Sequence, residues 1–163
     1  MTLPQDGHVH TEWSWDTDVG SMERSCARAV EFGVPSIAFT EHADFTEYRV
    51  TPQDTFQPPA LDVAGYLACV RQCRERFPGL RILSGVELGE PHWHAERVQT
   101  LLSTMDCDRL LGSVHTVRIG GDVLGIPGVY RIRPAAEAVR LYLAEVLRLV
   151  ETSSVFGVLA HID

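Results

Sequence analysis

The stretch "PSIAFTEH", residues 35–42, decides the fold. It opens on Pro35, stays apolar and β-forming through Phe39, and finishes on two side chains able to ligate metal, Glu41 and His42. An apolar run of this length reads as a buried strand of the kind found in parallel sheets covered by helices. Upstream lies "SMERSCARAVEFG" (21–33), with Ser21 as N-cap, Gly33 as C-cap and Met22, Cys26, Ala29 and Val30 on one helical face. Before that, "DGHVH" (6–10) is a short strand. Downstream, "TEYRVTPQDTFQPP" (46–59) carries three prolines and reads as an excursion loop. "ALDVAGYLACVRQCRERFPG" (60–79) is an amphipathic helix and "LRILSGVELGE" (80–90) a third strand. "PHWHAERVQTLLSTM" (91–105) is a helix with Pro91 in its first turn. "DRLLGSVHTV" (108–117) is a fourth strand, "RIGGDVLGIPGVYRIR" (118–133) a glycine-rich loop, "PAAEAVRLYLAEVLRLVETS" (134–153) the longest helix, and "VFGVLAHID" (155–163) a fifth strand. Five strands alternating with four helices predict an α/β fold built on a parallel sheet or barrel. No repeat or internal boundary interrupts it, so residues 1–163 are expected to form one domain.

The strands end alike. His8 and His10 close the first, His42 the second, Glu87 the third, His115 the fourth, and His161 with Asp163 the fifth. Active sites of α/β barrels and open α/β sheets gather at the carboxyl ends of strands. Residues two apart in a strand point the same way, so His8 and His10 can reach one ion. Imidazole and carboxylate ligands together suit Zn, Fe or Mn. Six such side chains, with Asp16 and Asp163 as further ligands, exceed one tetrahedral site. Two or three clustered divalent ions are expected, with Glu87 as a bridging carboxylate; such clusters serve phosphoryl transfer. Asp6 is expected to orient a ligand from behind, and Glu12 and Asp18 to be solvated. His92 and His94 read as surface or capping residues, or alternatively as the rim of the site.

Composition narrows the function. The net charge of −8 argues against a nucleic-acid partner, which calls for a basic face. All 14 basic residues are arginine, which excludes Schiff-base and carbamylated-lysine chemistry. The four cysteines lack C-x-x-C spacing and read as reduced thiols rather than a zinc ribbon. No apolar run approaches the roughly 18 residues of a membrane span, and no basic-then-apolar leader opens the chain. A cytoplasmic location is expected.

The motifs "DGHVHTEWSWD", "FTEHAD", "GVELGE", "GSVH" and "AHID", in that order, resemble those of the PHP (polymerase and histidinol phosphatase) family, particularly its histidinol-phosphatase branch. The resemblance implies a distorted, TIM-like, seven-stranded β/α barrel with a trinuclear site that hydrolyses phosphomonoesters by a metal-bound hydroxide. It implies ligand roles for His8, His10, His42, Glu87, His115 and His161, and for Asp16, where relatives often carry a histidine. Relatives continue into further strands and a closing Asp-x-His pair. The chain reaches Asp163 and is therefore expected to hold only the first five strands and four helices. The leading function is a histidinol-phosphate phosphatase of histidine biosynthesis acting on a small phosphorylated substrate. Arg118 reads as a solvated surface residue or, alternatively, as a phosphate contact, and Glu90 or Asp44 as a candidate partner for the substrate amine. The alternatives are a non-catalytic PHP module and, less well matched for want of a lysine, an amidohydrolase-type hydrolase. The sequence leaves the oligomeric state open.

Overall fold

The computed structural model describes residues 3–51 and 53–162; Asp163, expected as a ligand, lies outside the described residues. Five parallel strands form the main sheet: β1 (Asp6–Val9), β2 (Ser36–Ala43), β5 (Arg81–Gly89), β6 (Arg109–Ser113) and β9 (Val158–Leu159). They lie side by side in chain order, β1-β2-β5-β6-β9, so every crossover steps to the next position. The sheet curls as half of a barrel. His8 lies on one edge strand and His161 two residues beyond the other, and their rings approach to 5.9 Å.

Helices α1 (Met22–Phe32), α2 (Val63–Arg76) and α3 (Ala95–Thr104) cover the outer face. α1 begins and ends where the sequence says. Ser21 accepts from Arg24 N, and Gly33 takes the left-handed φ of 73°. Met22, Cys26 and Ala29 are buried, but Val30 is 53% exposed, so the core-facing stripe is one residue narrower than expected. α3 starts after His94, leaving Pro91 in the turn before it rather than in its first turn. All four cysteines are free, and burial pushes the Cys26 and Cys73 thiols up to about 12 and about 11. Tyr66, fully buried, sends its hydroxyl into the sheet. The oxygen accepts from Gly85 N at 2.8 Å and donates to Phe39 O at 2.8 Å.

The structure adds what the sequence read as loops. The excursion contributes β3 (Tyr48–Arg49) and β4 (Thr55–Phe56). The expected fourth strand (108–117) ends at Ser113 as β6; its last two residues join the glycine-rich segment in β7 (Thr116–Ile119), followed by β8 (Asp122–Gly125) and a fifth helix, α4 (Ile126–Ile132). These strands join as a second sheet, β4-β3-β8-β7, in which only the β3–β8 pair is parallel. The two-residue β3 and β4 carry no readable period, and the four-residue β7 and β8 flank glycines that read as loop signals. α5 (Ala135–Thr152) packs with this region around a second core of Val117, Leu124, Val129, Tyr142 and Leu149. Among the described residues no helix is long and apolar enough to cross a membrane. β9 is an edge, and Val158 and Leu159 on it are exposed.

Candidate metal centre

Parallel register brings the strand ends level. His42 on β2 and Glu87 on β5 are direct cross-strand neighbours, and His115 follows β6 two residues beyond its end. Glu87 is fully buried at the middle of the row. Its Oε2 lies 3.1 Å from His10 Nε2, 3.2 Å from His42 Nδ1 and 3.5 Å from His8 Nε2. Its Oε1 lies 3.1 Å from His161 Nε2 and 3.3 Å from His115 Nε2. Five imidazoles from four strand ends and the turn after β1 thus meet on one carboxylate. Asp16 joins from the loop after β1, with Oδ2 3.2 Å from His42 Nε2.

The arrangement fits metal ions. Glu87 Oε2 and His42 Nδ1 are buried without a hydrogen-bond partner despite those short approaches, so their neighbours are not aligned for hydrogen bonding. His8 Nε2 and His10 Nε2 face each other at 2.9 Å. Ligand atoms about 2 Å from a shared ion sit roughly 3 Å from one another. Two groups meet the spacing for a shared ion, His8–His10–Glu87 and His42–Glu87–His115, and Glu87 belongs to both. His161 and Asp16 stand at the rim, with side chains 42% and 40% exposed.

The electrostatics follow from this packing. Burial opposes ionisation of Glu87, but its contacts with His10, His115, His161 and His8 outweigh that and hold the carboxyl far below the usual range. Burial likewise works against protonation of His115, yet Asp44 and Glu87 raise it well above 6.5. His10 is raised by Glu87 against its own burial, whereas burial dominates at His42 and lowers it.

Behind the ligands lies a layer the sequence pattern did not reveal. Asp44, 7% exposed, accepts from His115 Nδ1 at 2.7 Å and Trp15 Nε1 at 2.8 Å, fixing the ring whose other nitrogen faces Glu87. Gly89 is required beside it, because a Cβ there would fall 1.9 Å from Asp44 Oδ1. Glu41, fully buried, accepts from Thr11 N, Thr11 Oγ1 and Ser14 Oγ. Ser14 Oγ in turn lies 3.0 Å from His10 Nδ1. Burial pushes Glu41 above its ordinary value. Asp6, expected in this supporting role, is exposed on β1. Glu12 is exposed, as expected, and also accepts from Met22 N at the start of α1 at 2.6 Å.

A cleft of about 720 Å³ opens over the cluster, with Tyr48, Arg49, Glu90, Pro127 and Arg131 among its other lining residues. That volume suits a small ligand. The second sheet and α4 build its far wall. Arg118, weighed between a phosphate contact and a solvated surface position, lies with its guanidinium 4.0 Å over the Trp93 ring. Arg49 and Arg131 line the cleft, and Arg49 also pairs with Asp122 at 2.7 Å. His92 is tied to Glu145 at 2.7 Å, and His94 stands at the N-cap position of α3 without a capping bond, its ring reaching Thr46 Oγ1.

A curled parallel half-barrel with histidines and a carboxylate at its strand ends is the frame of a metal-binding β/α protein. The chain belongs to the PHP domain family, whose model matches residues 6–163. It is 27% identical over 161 residues to the "Probable histidinol-phosphatase" of Clostridium acetobutylicum, and 25% identical over 161 residues to the histidinol-phosphatase of Lactococcus lactis subsp. lactis. Each alignment covers 97% of this chain and 56% of the relative, so the chain spans about half the length of these proteins. The crystal structure of the Lactococcus lactis histidinol phosphate phosphatase, complexed with zinc, L-histidinol and phosphate, superposes with a TM-score of 0.79 at 24% identity. That match covers 97% of this chain and 57% of that one, and it shows the shared fold.

Proposed function

We propose that the chain is a metal-dependent phosphomonoesterase of histidinol-phosphatase type, with histidinol phosphate as its first substrate to test. The observation that carries this reading is the convergence of five imidazoles on the two oxygens of Glu87, beneath a cleft of small-ligand size. His8, His10 and Glu87 would hold one divalent ion and His42, Glu87 and His115 a second, with His161, Asp16 and Asp163 as further ligands. Bound Zn, Mn or Fe supplies Lewis-acid charge and lowers the pKa of a coordinated water. The chain's own groups do the rest. Glu87 gives both ion positions one shared negative charge, and Asp44 holds the His115 ring. Arg131 offers a forked cation to a phosphate, while Glu90 and Asp44 offer carboxylates toward a substrate amine. In this reading residues 1–163 belong to a single PHP domain. Its partner is a small phosphorylated molecule rather than a nucleic acid, and its setting is the cytoplasm. The similarity to histidinol-phosphatases supports the substrate class.

The open rim at His161 and Asp16 favours one second reading, a PHP module that binds metal without turnover. Metal content by plasma mass spectrometry, with turnover of p-nitrophenyl phosphate and histidinol phosphate on the same sample, separates the two. Two or three ions per chain with chelator-sensitive turnover is the expected result. Bound metal without turnover, after supplementation with Zn²⁺ and Mn²⁺, selects the module.

A further inference from the structure

Glu145 is a buried carboxylate on the far side of the second core, outside the cleft. It is 3% exposed. One oxygen accepts from His92 Nε2 at 2.7 Å and Trp93 Nε1 at 2.9 Å; the other accepts from Arg148 Nη1 at 2.6 Å. The arginine does not account for its burial. Arg148 is 64% exposed, and a pair with one solvated partner contributes at most about 1 kcal/mol. Hydrogen bonds from part-buried donors to a carboxylate hold more firmly than a pair with a solvated partner. The carboxylate is therefore held in place chiefly by the turn that follows β5.

That turn carries Glu90, the one non-glycine residue with a positive φ among the described residues, at 43°. A side chain in this region is strained and persists only where its surroundings over-determine it. Here Glu90 N donates to Ser113 O and Trp93 N donates to Glu90 O, both at 2.9 Å. In this conformation the Glu90 carboxylate accepts from His115 N and from Thr116 N at 2.7 Å, and from Thr46 Oγ1 at 3.1 Å. So one oxygen of Glu90 fixes the backbone from which the His115 ring projects.

We propose that Glu145 is a positioning residue of the metal centre. Its carboxylate pins His92 and Trp93, the pinned turn keeps Glu90 in its left-handed conformation, and Glu90 sets the backbone of His115. The inference rests on the reading of the strand-end cluster as a metal site. It differs from a merely structural role in one measurable way: Glu145 and Glu90 are coupled in metal binding.

The test is competition titration of Zn²⁺ against a chelating dye, with the visible spectrum of the Co²⁺-loaded chain and thermal unfolding as parallel readouts. Glu145→Gln is expected to weaken Zn²⁺ binding about 10-fold and to shift the Co²⁺ bands, because partners behind metal ligands typically cost 10–100-fold when altered. Glu90→Gln is expected to weaken binding too, and the double variant to lose no more than the worse single, because both act through one turn. Trp93→Phe, which removes one donor and keeps the ring, is expected to show a smaller loss in the same direction should Glu145→Gln fold poorly. Zn²⁺ binding within two-fold of wild type and an unchanged Co²⁺ spectrum in both Glu145→Gln and Trp93→Phe would overturn the inference. So would losses in the double variant that multiply. Failure of the wild-type chain to take up Zn²⁺ would instead sink the reading of the centre itself, and the inference with it.

Discussion

His42 and Glu87 are paired directly across β2 and β5, and the imidazole Nδ1 lies 3.2 Å from the carboxylate Oε2 with no hydrogen bond between them. Two buried polar atoms left this way are costly unless a third body satisfies both. Glu87→Gln removes the charge and one of the two acceptor oxygens while keeping the shape. It is expected to strip the chain of metal and to lower turnover by more than the roughly 100-fold that altering an outer partner costs. Metal content and p-nitrophenyl phosphate turnover on one preparation check this; a variant that retains full metal content would contradict the bridging role.

Asp44 and Gly89 make a paired prediction. Asp44→Asn weakens the hold on His115 Nδ1, and metal affinity is expected to fall about 10–100-fold. Gly89→Ala leaves Asp44 in the sequence but places a methyl group 1.9 Å from its Oδ1. The same loss is expected from a purely steric cause. Zn²⁺ affinities measured for both variants should fall together.

Stability of the metal-free chain is expected to fall as pH rises from 6.5 to 8.5. His10 and His115 have folded pKa values raised above 6.5, so their stabilising contribution is complete below 6.5 and is lost as pH climbs through the folded values. Burial lifts Glu90 to about 7, so its ionisation between 4.5 and about 7 also counts against the fold. His42, lowered by burial, acts in the opposite sense, but only below 6.5. The depressed Glu87 contributes above 4.5 and loses that contribution only in acid. In chelator, Tm should drop over this range. With saturating Zn²⁺ the trend should reverse, because protons compete with the ion for imidazole.

The two cleft arginines and Arg118 separate by position. Arg131→Ala is expected to raise KM for a phosphomonoester about 10-fold with metal content unchanged, the cost of roughly one charge-assisted hydrogen bond. Arg118→Ala, acting on the Trp93 ring, should leave KM within two-fold. Steady-state kinetics on the two variants would expose the opposite ranking.

Tyr66→Phe tests the fold apart from the site. Removing the hydroxyl leaves Gly85 N and Phe39 O without that partner inside the sheet, at a cost of about 1–3 kcal/mol. Urea unfolding of the metal-free protein should show it, with zinc stoichiometry preserved.

Much of this architecture was legible in the chain. The two longest strands, β2 and β5, are apolar runs flanked by periodic helices, so "PSIAFTEH" and "LRILSGVELGE" stand out, and their last residues fall where parallel sheets build sites. What escaped is what periodicity does not encode. β3, β4 and β8 are short, and prolines and glycines around them look like loop signals. Arg49 and Arg131 reach the cleft only because those pieces fold back over it. Asp44 sits two residues past His42 in plain view, yet its bond to His115 depends on β5 lying between β2 and β6. Glu41 adjoins His42, and strand alternation sends it to the opposite side, where Thr11 and Ser14 await it. Neither link leaves a mark in spacing along the chain.

Strand order in the main sheet equals chain order, and this bears on how the chain emerges from a ribosome. Each strand meets a neighbour that is already synthesised, so no pairing has to wait for a later segment to be threaded between earlier ones. The His8–His10–Glu87 group is complete in the nascent chain once residue 87 has appeared. The His42–Glu87–His115 group waits another 28 residues, a matter of seconds at about 5–20 residues per second. The two ligand groups therefore mature one after the other, and the shared carboxylate belongs to the first before it serves the second.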